Sequence, residues 1–126
     1  MPGNRHRCRQ GRRGGWLQEP ALLLLLQHGP AHGYTLSERL AGLGIEDLHP
    51  RVVYRALRGM EENGWITSDW DDEETQGPPR RVYSLTDLGD EALRTCIQTL
   101  RQTRGQIDDL IKTYQQQMEK NQGNDH

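Results

Sequence analysis

The sequence predicts a mainly helical α+β fold, and three patterns along its 126 residues support this prediction. Residues 50–63 show the apolar periodicity of an amphipathic helix. Residues 65–85 hold two β-rich segments around a polar loop, which is typical of a hairpin with a long tip. From residue 93 onwards, apolar residues recur with heptad spacing, which predicts a long helix with a continuous apolar seam.

The composition limits the size of the core. Only 33% of the residues are hydrophobic and Phe is absent, so a single domain of this length has a thin core that favours burial across a subunit interface. The formal net charge is -2, but residues 1–16 contain five Arg and no acid, while the other 11 Lys and Arg accompany all 18 acids. This uneven distribution predicts local basic patches, which attract phosphate groups.

The first part of the chain is expected to contain an arm and two short helices. Residues 1–15 are rich in Arg and Gly without periodicity, which predicts a disordered arm. Ala21–His28 is almost wholly apolar and predicts a short buried helix that begins near Pro20. Tyr34–Ala41 has helical spacing and predicts a second helix after an intervening turn.

The third predicted helix, Pro50–Asn63, has two different faces. One face is an apolar stripe made of Val53, Leu57 and Met60. A different face carries, at the same helical spacing, Arg51, Arg55 and Arg58. Gly64 directly after the helix favours its termination there. This helix is therefore expected to pack on the core through its stripe and to leave the arginines for other contacts.

A hairpin and a long helix complete the predicted fold. The two strands are Trp65–Trp70 and Arg81–Leu85, joined by a long charged loop. Thr86 is predicted to cap the last helix, which covers residues 87–120 and leaves 121–126 as a disordered tail. The seam of this helix is interpreted as a dimerisation surface made of Ile97, Leu100, Arg104, Ile107, Ile111, Tyr114 and Met118.

A basic amphipathic helix followed by a hairpin is the order of the recognition helix and wing in a winged helix-turn-helix domain. This order predicts such a domain over residues 16–86, with double-stranded DNA as its partner. The acids of the hairpin, Asp71 and Asp72 among them, are expected to point away from the duplex, and Trp70 to pack beneath the wing. The predicted DNA contacts are Arg51, Val52, Tyr54, Arg55, Arg58, Arg80 and Arg81.

Three segments combine in an order and spacing that is specific. They are Leu22–Leu25 with Gly29-Pro30-x-His32-Gly33-Tyr34, then Tyr54-Arg55-x-Leu57-x-x-Met60-Glu61-x-x-Gly64-Trp65-Ile66, then Gly77-Pro78-Pro79-Arg80-Arg81-Val82-Tyr83-x-Leu85-Thr86-x-x-Gly89. Over roughly residues 20–95 the chain thereby resembles the PadR family of bacterial transcriptional regulators. The resemblance implies a winged helix with a C-terminal dimerisation helix, and a homodimer that represses nearby genes. It also implies that four residues match the family's DNA-reading region, namely Tyr34, Tyr54, Arg55 and Arg81.

No catalytic residue, metal ligand or cofactor is expected. The sequence has no Gly-rich phosphate loop and no Gly-x-Ser-x-Gly, so regulation is predicted and catalysis is not. Two Cys residues do not make a disulfide framework, which favours a reducing cytoplasm. The apolar run Ala21–Leu26 is shorter than a secretion signal or a membrane span, so no membrane association is expected.

Other interpretations stay open at this point. The arginine face could be an ordinary solvated helix surface, Tyr54 could pack under the wing, and His32 is interpreted as a turn and packing residue. The last helix could dock a different protein, which would make the chain an interaction module. Cys8, among its arginines, could make the protein a redox sensor, and an unidentified small-molecule effector could act through the same fold.

Overall fold

The computed structural model describes residues 17–45, 49–71 and 80–123. The arm predicted over 1–15 and the hairpin tip at 72–79 lie outside these ranges. Within them the elements are, in chain order, α1 (Gln18–His28), β1 (Ala31–His32), α2 (Gly33–Gly42), α3 (Pro50–Glu62), β2 (Ile66–Asp71), β3 (Arg80–Leu85) and α4 (Asp87–Gly123). The mainly helical α+β fold predicted from the sequence is confirmed.

The chain divides into two compact units, Met1–Cys96 and Ile97–His126. Helices α1 to α3, the sheet and the first turns of α4 belong to the first unit, whose core includes Ala92 and Cys96 of α4. The second unit is the remainder of α4.

Helix α4 is longer than predicted. It ends at Gly123, so residues 121–123 of the predicted disordered tail are helical, and residues 124–126 lie outside the described ranges. The Gln, Glu and Lys residues of its last turns are good helix formers, and no Pro or Gly interrupts the helix between Gly105 and Gly123.

Helix α1 is buried on one side only, which corrects the expectation that nearly all of it lies in the core. Leu22, Leu23 and Leu26 are fully buried, whereas Leu24 is 47% exposed. Successive residues of a helix point about 100° apart, so an apolar run of this length necessarily presents part of its surface outwards.

The sheet has three antiparallel strands in the order β1-β3-β2, one more than the two-stranded wing predicted. The added strand β1 has two residues, with Ala31 opposite Tyr83 and His32 opposite Val82. A strand this short shows no alternation in the sequence, and its segment was expected to be a turn. In the wing, formed by β2 and β3, Trp70 lies opposite Arg81.

Helix α3 is positioned by its two ends and its apolar stripe. The His49 side chain caps the first turn by accepting a hydrogen bond from the Arg51 backbone N–H at 3.1 Å, and Pro50 follows at the first helical position. The helix ends at Glu62, and Gly64 then adopts a φ of 81°, a left-handed conformation that favours glycine. As predicted, the stripe is buried, and it consists of Val53, Leu57 and Met60.

The junction between α3, the wing and α4 is held around the backbone of Trp65. The Trp65 carbonyl accepts a hydrogen bond from the Thr86 backbone N–H at 3.0 Å. The Thr86 hydroxyl lies 3.0 Å from the same carbonyl and 2.6 Å from the Gly64 carbonyl. The Thr86 hydroxyl also accepts from the Gly89 N–H at 3.0 Å, which confirms the predicted helix cap. Any Cβ on Gly89 would overlap the Trp65 carbonyl oxygen.

Substituting Gly89 by Ala should lower the free energy of unfolding by about 1–3 kcal/mol, because the added methyl group forces the backbone at this junction apart. Gly59→Ala is the matched control, since Gly59 is also helical and a Cβ there meets no atom within 4 Å. Alanine in that position should stabilise the helix by up to about 1 kcal/mol. Urea unfolding followed by circular dichroism measures both changes. A Gly89→Ala protein as stable as the wild type would show that the close approach is not a constraint.

Candidate nucleic-acid interface

One concave surface of about 1000 Å³ lies between the start of α2, helix α3 and the wing; it is called the α3–wing groove. All of its lining belongs to the first compact unit. The lining residues are His32, Gly33, Tyr34, Tyr54, Arg58, Glu61, Trp70, Arg80, Arg81 and Tyr83.

The fold brings five of the predicted DNA contacts together in this groove, namely Tyr34, Tyr54, Arg58, Arg80 and Arg81. The other three are exposed on α3 but do not line the groove, namely Arg51, Val52 and Arg55. Helical spacing places the three α3 arginines on the side opposite the buried stripe. The predicted contacts therefore form a continuous patch that runs from the outer face of α3 to the wing.

Tyr54 is held against the start of α2. A Cβ built on Gly33 would lie 2.6 Å from Cε1 of the Tyr54 ring and 2.9 Å from its hydroxyl oxygen, so only glycine allows this approach. The ring nevertheless stays 45% exposed and faces the groove. Tyr54 therefore combines packing on α2 with access from outside.

Arg81 is restrained by two contacts on the wing. Its Nη1 donates a hydrogen bond to the Ser68 hydroxyl at 2.7 Å, and its guanidinium lies over the Trp70 ring, 4.6 Å from the ring centroid. Trp70 was expected to pack beneath the wing, but it is 58% exposed and stacks on Arg81 instead. The reason is the hairpin register, which places the two residues directly opposite each other.

Two acids at the groove are already engaged by other residues. The Ser68 hydroxyl donates to the Glu61 carboxylate at 2.8 Å, and a ring nitrogen of His32 lies 3.1 Å from a carboxylate oxygen of Asp71. His32 lies on β1 and Asp71 on β2, so this pair spans the central strand of the sheet. This contact was not predicted, because His32 was interpreted from the sequence only as a turn and packing residue.

The phenol of Tyr83 lies at the floor of the groove. Burial raises the pKa of Tyr83 above its ordinary value, and the nearby Arg81 charge opposes that increase in part. The phenol is therefore neutral at physiological pH, and it adds no negative charge beside the groove arginines.

A second candidate surface lies on the second unit. Of the predicted dimerisation residues, Ile97 and Leu100 are half-buried, and those exposed are Arg104, Ile107, Ile111, Tyr114 and Met118. Leu110, which was not predicted, is 72% exposed and extends the apolar stripe. It lies outside the heptad seam, but its spacing of three and four residues from Ile107 and Tyr114 could have indicated it.

The described ranges offer neither a metal site nor a membrane span. Among these residues, no group of three or more His, Cys, Asp or Glu could hold a metal ion. Within the same ranges, no helix is both long and apolar enough to cross a membrane. Cys96 is buried, and Cys8 lies outside the described part of the chain.

Comparison with known proteins gives a family and related structures. The family model described as "Transcriptional regulator PadR-like family" matches residues 22–95. A conserved protein of unknown function, described as a potential transcriptional factor, is 33% identical with a TM-score of 0.72 over 88% of this chain and 99% of its own. A protein from Thermoplasma acidophilum that is named as a transcriptional regulator is 31% identical, with a TM-score of 0.70 over 78% and 93% of the two chains.

A structure of Bacillus subtilis PadR in complex with operator DNA is 27% identical to this chain. Its TM-score is 0.54 over 60% of this chain and 44% of the Bacillus protein. No curated protein shows significant similarity. Because the family match spans more than half of the sequence and covers α3, the wing and the start of α4, the chain belongs to the PadR-like family of transcriptional regulators.

Proposed function

We propose that this protein is a sequence-specific DNA-binding repressor that acts as a homodimer. The observation that carries the proposal is the patch of cations and tyrosines that runs from the outer face of α3 to the wing. A helix that is anchored by one face and basic on the other is suited to insertion into the major groove. The operator complex of the Bacillus relative supports DNA as the partner of this fold.

Helix α3 would supply the sequence-reading contacts. Its N-terminal half carries Arg51 and Arg55 on the exposed side, where a guanidinium can make two hydrogen bonds to a guanine edge. Val52 is 36% exposed beside them and would contact a thymine methyl group. Arg58, one turn later, lines the groove and would contact a phosphate.

The wing and α2 would fix the register on the duplex. Arg80 and Arg81 lie at one end of β3, where they would neutralise phosphates next to the major groove. Tyr34, exposed at the start of α2, would donate a hydrogen bond from its hydroxyl to the DNA backbone. Such contacts give affinity without sequence information, so specificity would depend on α3.

The exposed stripe of α4 would form the homodimer. Ile107, Ile111, Tyr114 and Met118 follow heptad spacing on a helix with no apolar cover in the described part of the chain. A two-fold dimer would present two α3 helices about 34–36 Å apart, which requires a near-palindromic operator. Occupation of that operator would block transcription of the adjacent gene. This activity needs no catalytic residue or cofactor, and its DNA partner implies a cytoplasmic location.

The first test of this function is a salt titration of affinity for the chain's own promoter region against a random duplex of equal length. A preference of about a thousandfold or more for the promoter is expected, with a slope that counts the neutralised phosphates. Within this assay, Arg55→Ala should weaken promoter binding by about 1–3 kcal/mol and random binding by much less, because it removes a base contact.

Arg39→Ala is the matched control for Arg55, since Arg39 is an exposed helical arginine that does not line the α3–wing groove. It should leave both affinities unchanged. Equal losses on the two duplexes would assign Arg55 to a phosphate, and unchanged affinity would remove it from the interface. Equal and weak binding of the wild type to both duplexes would contradict a specific regulator.

Gly33→Ala tests whether the Tyr54 position matters for binding. The new methyl group must displace the Tyr54 side chain, which is exposed enough to move, so DNA affinity should fall while the melting temperature changes little. The control is a double-mutant cycle with Tyr54→Ala, in which Gly33→Ala should have no further effect. If Gly33→Ala weakens binding equally in both backgrounds, Gly33 acts through something other than Tyr54.

Ile111→Asp should convert the homodimer to a monomer, because it places a charge in the centre of the apolar seam. Gln116→Asp, on the opposite side of the same helix, adds the same charge and should leave the dimer intact. Sedimentation equilibrium measures the mass, and promoter affinity should fall with dimer loss. A wild-type chain that is monomeric at micromolar concentration would contradict the homodimer and favour docking of a different protein.

A further inference from the structure

We propose that Glu61, Ser68 and Trp70 form a relay that holds Arg81 in one orientation before DNA binds. Arg81 then loses little conformational freedom when it contacts a phosphate. The inference rests on the proposed function and deepens it. It assigns positioning roles to residues that do not themselves contact DNA, and Ser68 is the central one. None of these three residues was indicated by the sequence as part of the interface.

The direction of the hydrogen bonds follows from the chemistry of the hydroxyl. Arg81 can only donate, and the Glu61 carboxylate can only accept. Ser68 has a single hydroxyl proton, which it donates to Glu61 at 2.8 Å, and its oxygen accepts from Arg81 at 2.7 Å. Each bond has a charged group at one end, which makes it stronger than a neutral pair.

The pleat of the wing brings the second restraint to the same place. Ser68 and Trp70 are two residues apart on β2 and so project from one face of the strand. Arg81 lies opposite Trp70 on β3, and the indole covers one face of its guanidinium. A hydrogen bond at one edge and a ring on one face together fix a planar group, and Arg81 remains exposed to solvent.

The relay also connects the wing to the helix that would read the bases. Glu61 lies in the last turn of α3, whereas Ser68 and Arg81 lie on the wing. Arg81 is thereby held at a fixed place relative to α3.

The relay should strengthen DNA binding by reducing the conformational entropy that Arg81 loses when it binds. A free arginine loses much of its rotamer freedom when it binds phosphate, and a side chain ordered beforehand does not. Loss of the relay should therefore weaken binding by about two- to tenfold on any duplex, because a phosphate contact is independent of sequence. The number of neutralised phosphates should not change, because Arg81 still reaches the DNA.

The test compares the full-length wild type with Ser68→Ala, Ser68→Thr, Arg81→Ala and the Ser68→Ala/Arg81→Ala double variant, in salt titrations on promoter and random duplexes. Arg81→Ala should lower the slope of log affinity against log salt by about one. Ser68→Ala should weaken binding by about two- to tenfold without changing the slope, and Ser68→Thr should restore it. Ser68→Ala should have no effect in the Arg81→Ala background.

Unchanged affinity of Ser68→Ala, or an equal loss in the presence and absence of Arg81, would overturn the relay. A purely structural role of Ser68 predicts the second of these outcomes, with a lower melting temperature. If Ser68→Ala does not fold, Trp70→Leu removes the stacking contact at an exposed position and should give the same loss. If the wild type binds both duplexes equally, the proposal of a sequence-specific regulator is overturned but the relay is not, because the effect of Ser68→Ala is measured on each duplex separately. A wild type that binds neither duplex would overturn both the proposed function and the relay.

Discussion

The burial of one stripe of α3 determines where every other candidate contact lies. Val53, Leu57 and Met60 are almost fully buried, and each contributes roughly 1.5–3 kcal/mol by leaving water. Rotation of the helix about its axis would expose this stripe, so the helix has one orientation on the core. The opposite face, with Arg55 at its centre, must then point outwards. The same apolar residues that stabilise the fold therefore also aim the cations.

The wing depends on a second constraint, which is the short connection from α3 to β2. Trp65 is buried directly after the helix, and Thr86 holds the Trp65 carbonyl where β3 passes into α4. With both ends of the hairpin fixed there, the strand register decides which side chains face α3. It places Arg81 opposite Trp70 and close to Ser68, which reaches Glu61 of the helix. Wing and helix are thus joined through a backbone junction at one end and a polar relay at the other.

The elements of this fold could be predicted because their signals are local. The stripe of α3, the cap at Thr86 and the β-rich segments of the wing are all periodicities or neighbouring residue types, and the structure confirms them. Strand β1 could not be predicted, because two residues carry no alternation and pair only with distant β3. The relay was missed for a similar reason: Glu61 and Arg81 are 20 positions apart and meet through the hairpin register. The arginines could be found by type, but their partners could not.

The net charge of the chain is a poor guide to its partner, because the electrostatic field at the groove depends mainly on the charged side chains that line it. The whole chain is slightly acidic, with a formal net charge of -2. Among the described residues, however, the groove is lined by three arginines, Arg58, Arg80 and Arg81, and by one acid, Glu61. The Tyr83 phenol adds no negative charge, since an ordinary tyrosine is neutral at physiological pH and burial raises the pKa of Tyr83 further. A phosphate approaching the groove would therefore meet more positive than negative charge among the lining side chains, which favours DNA binding.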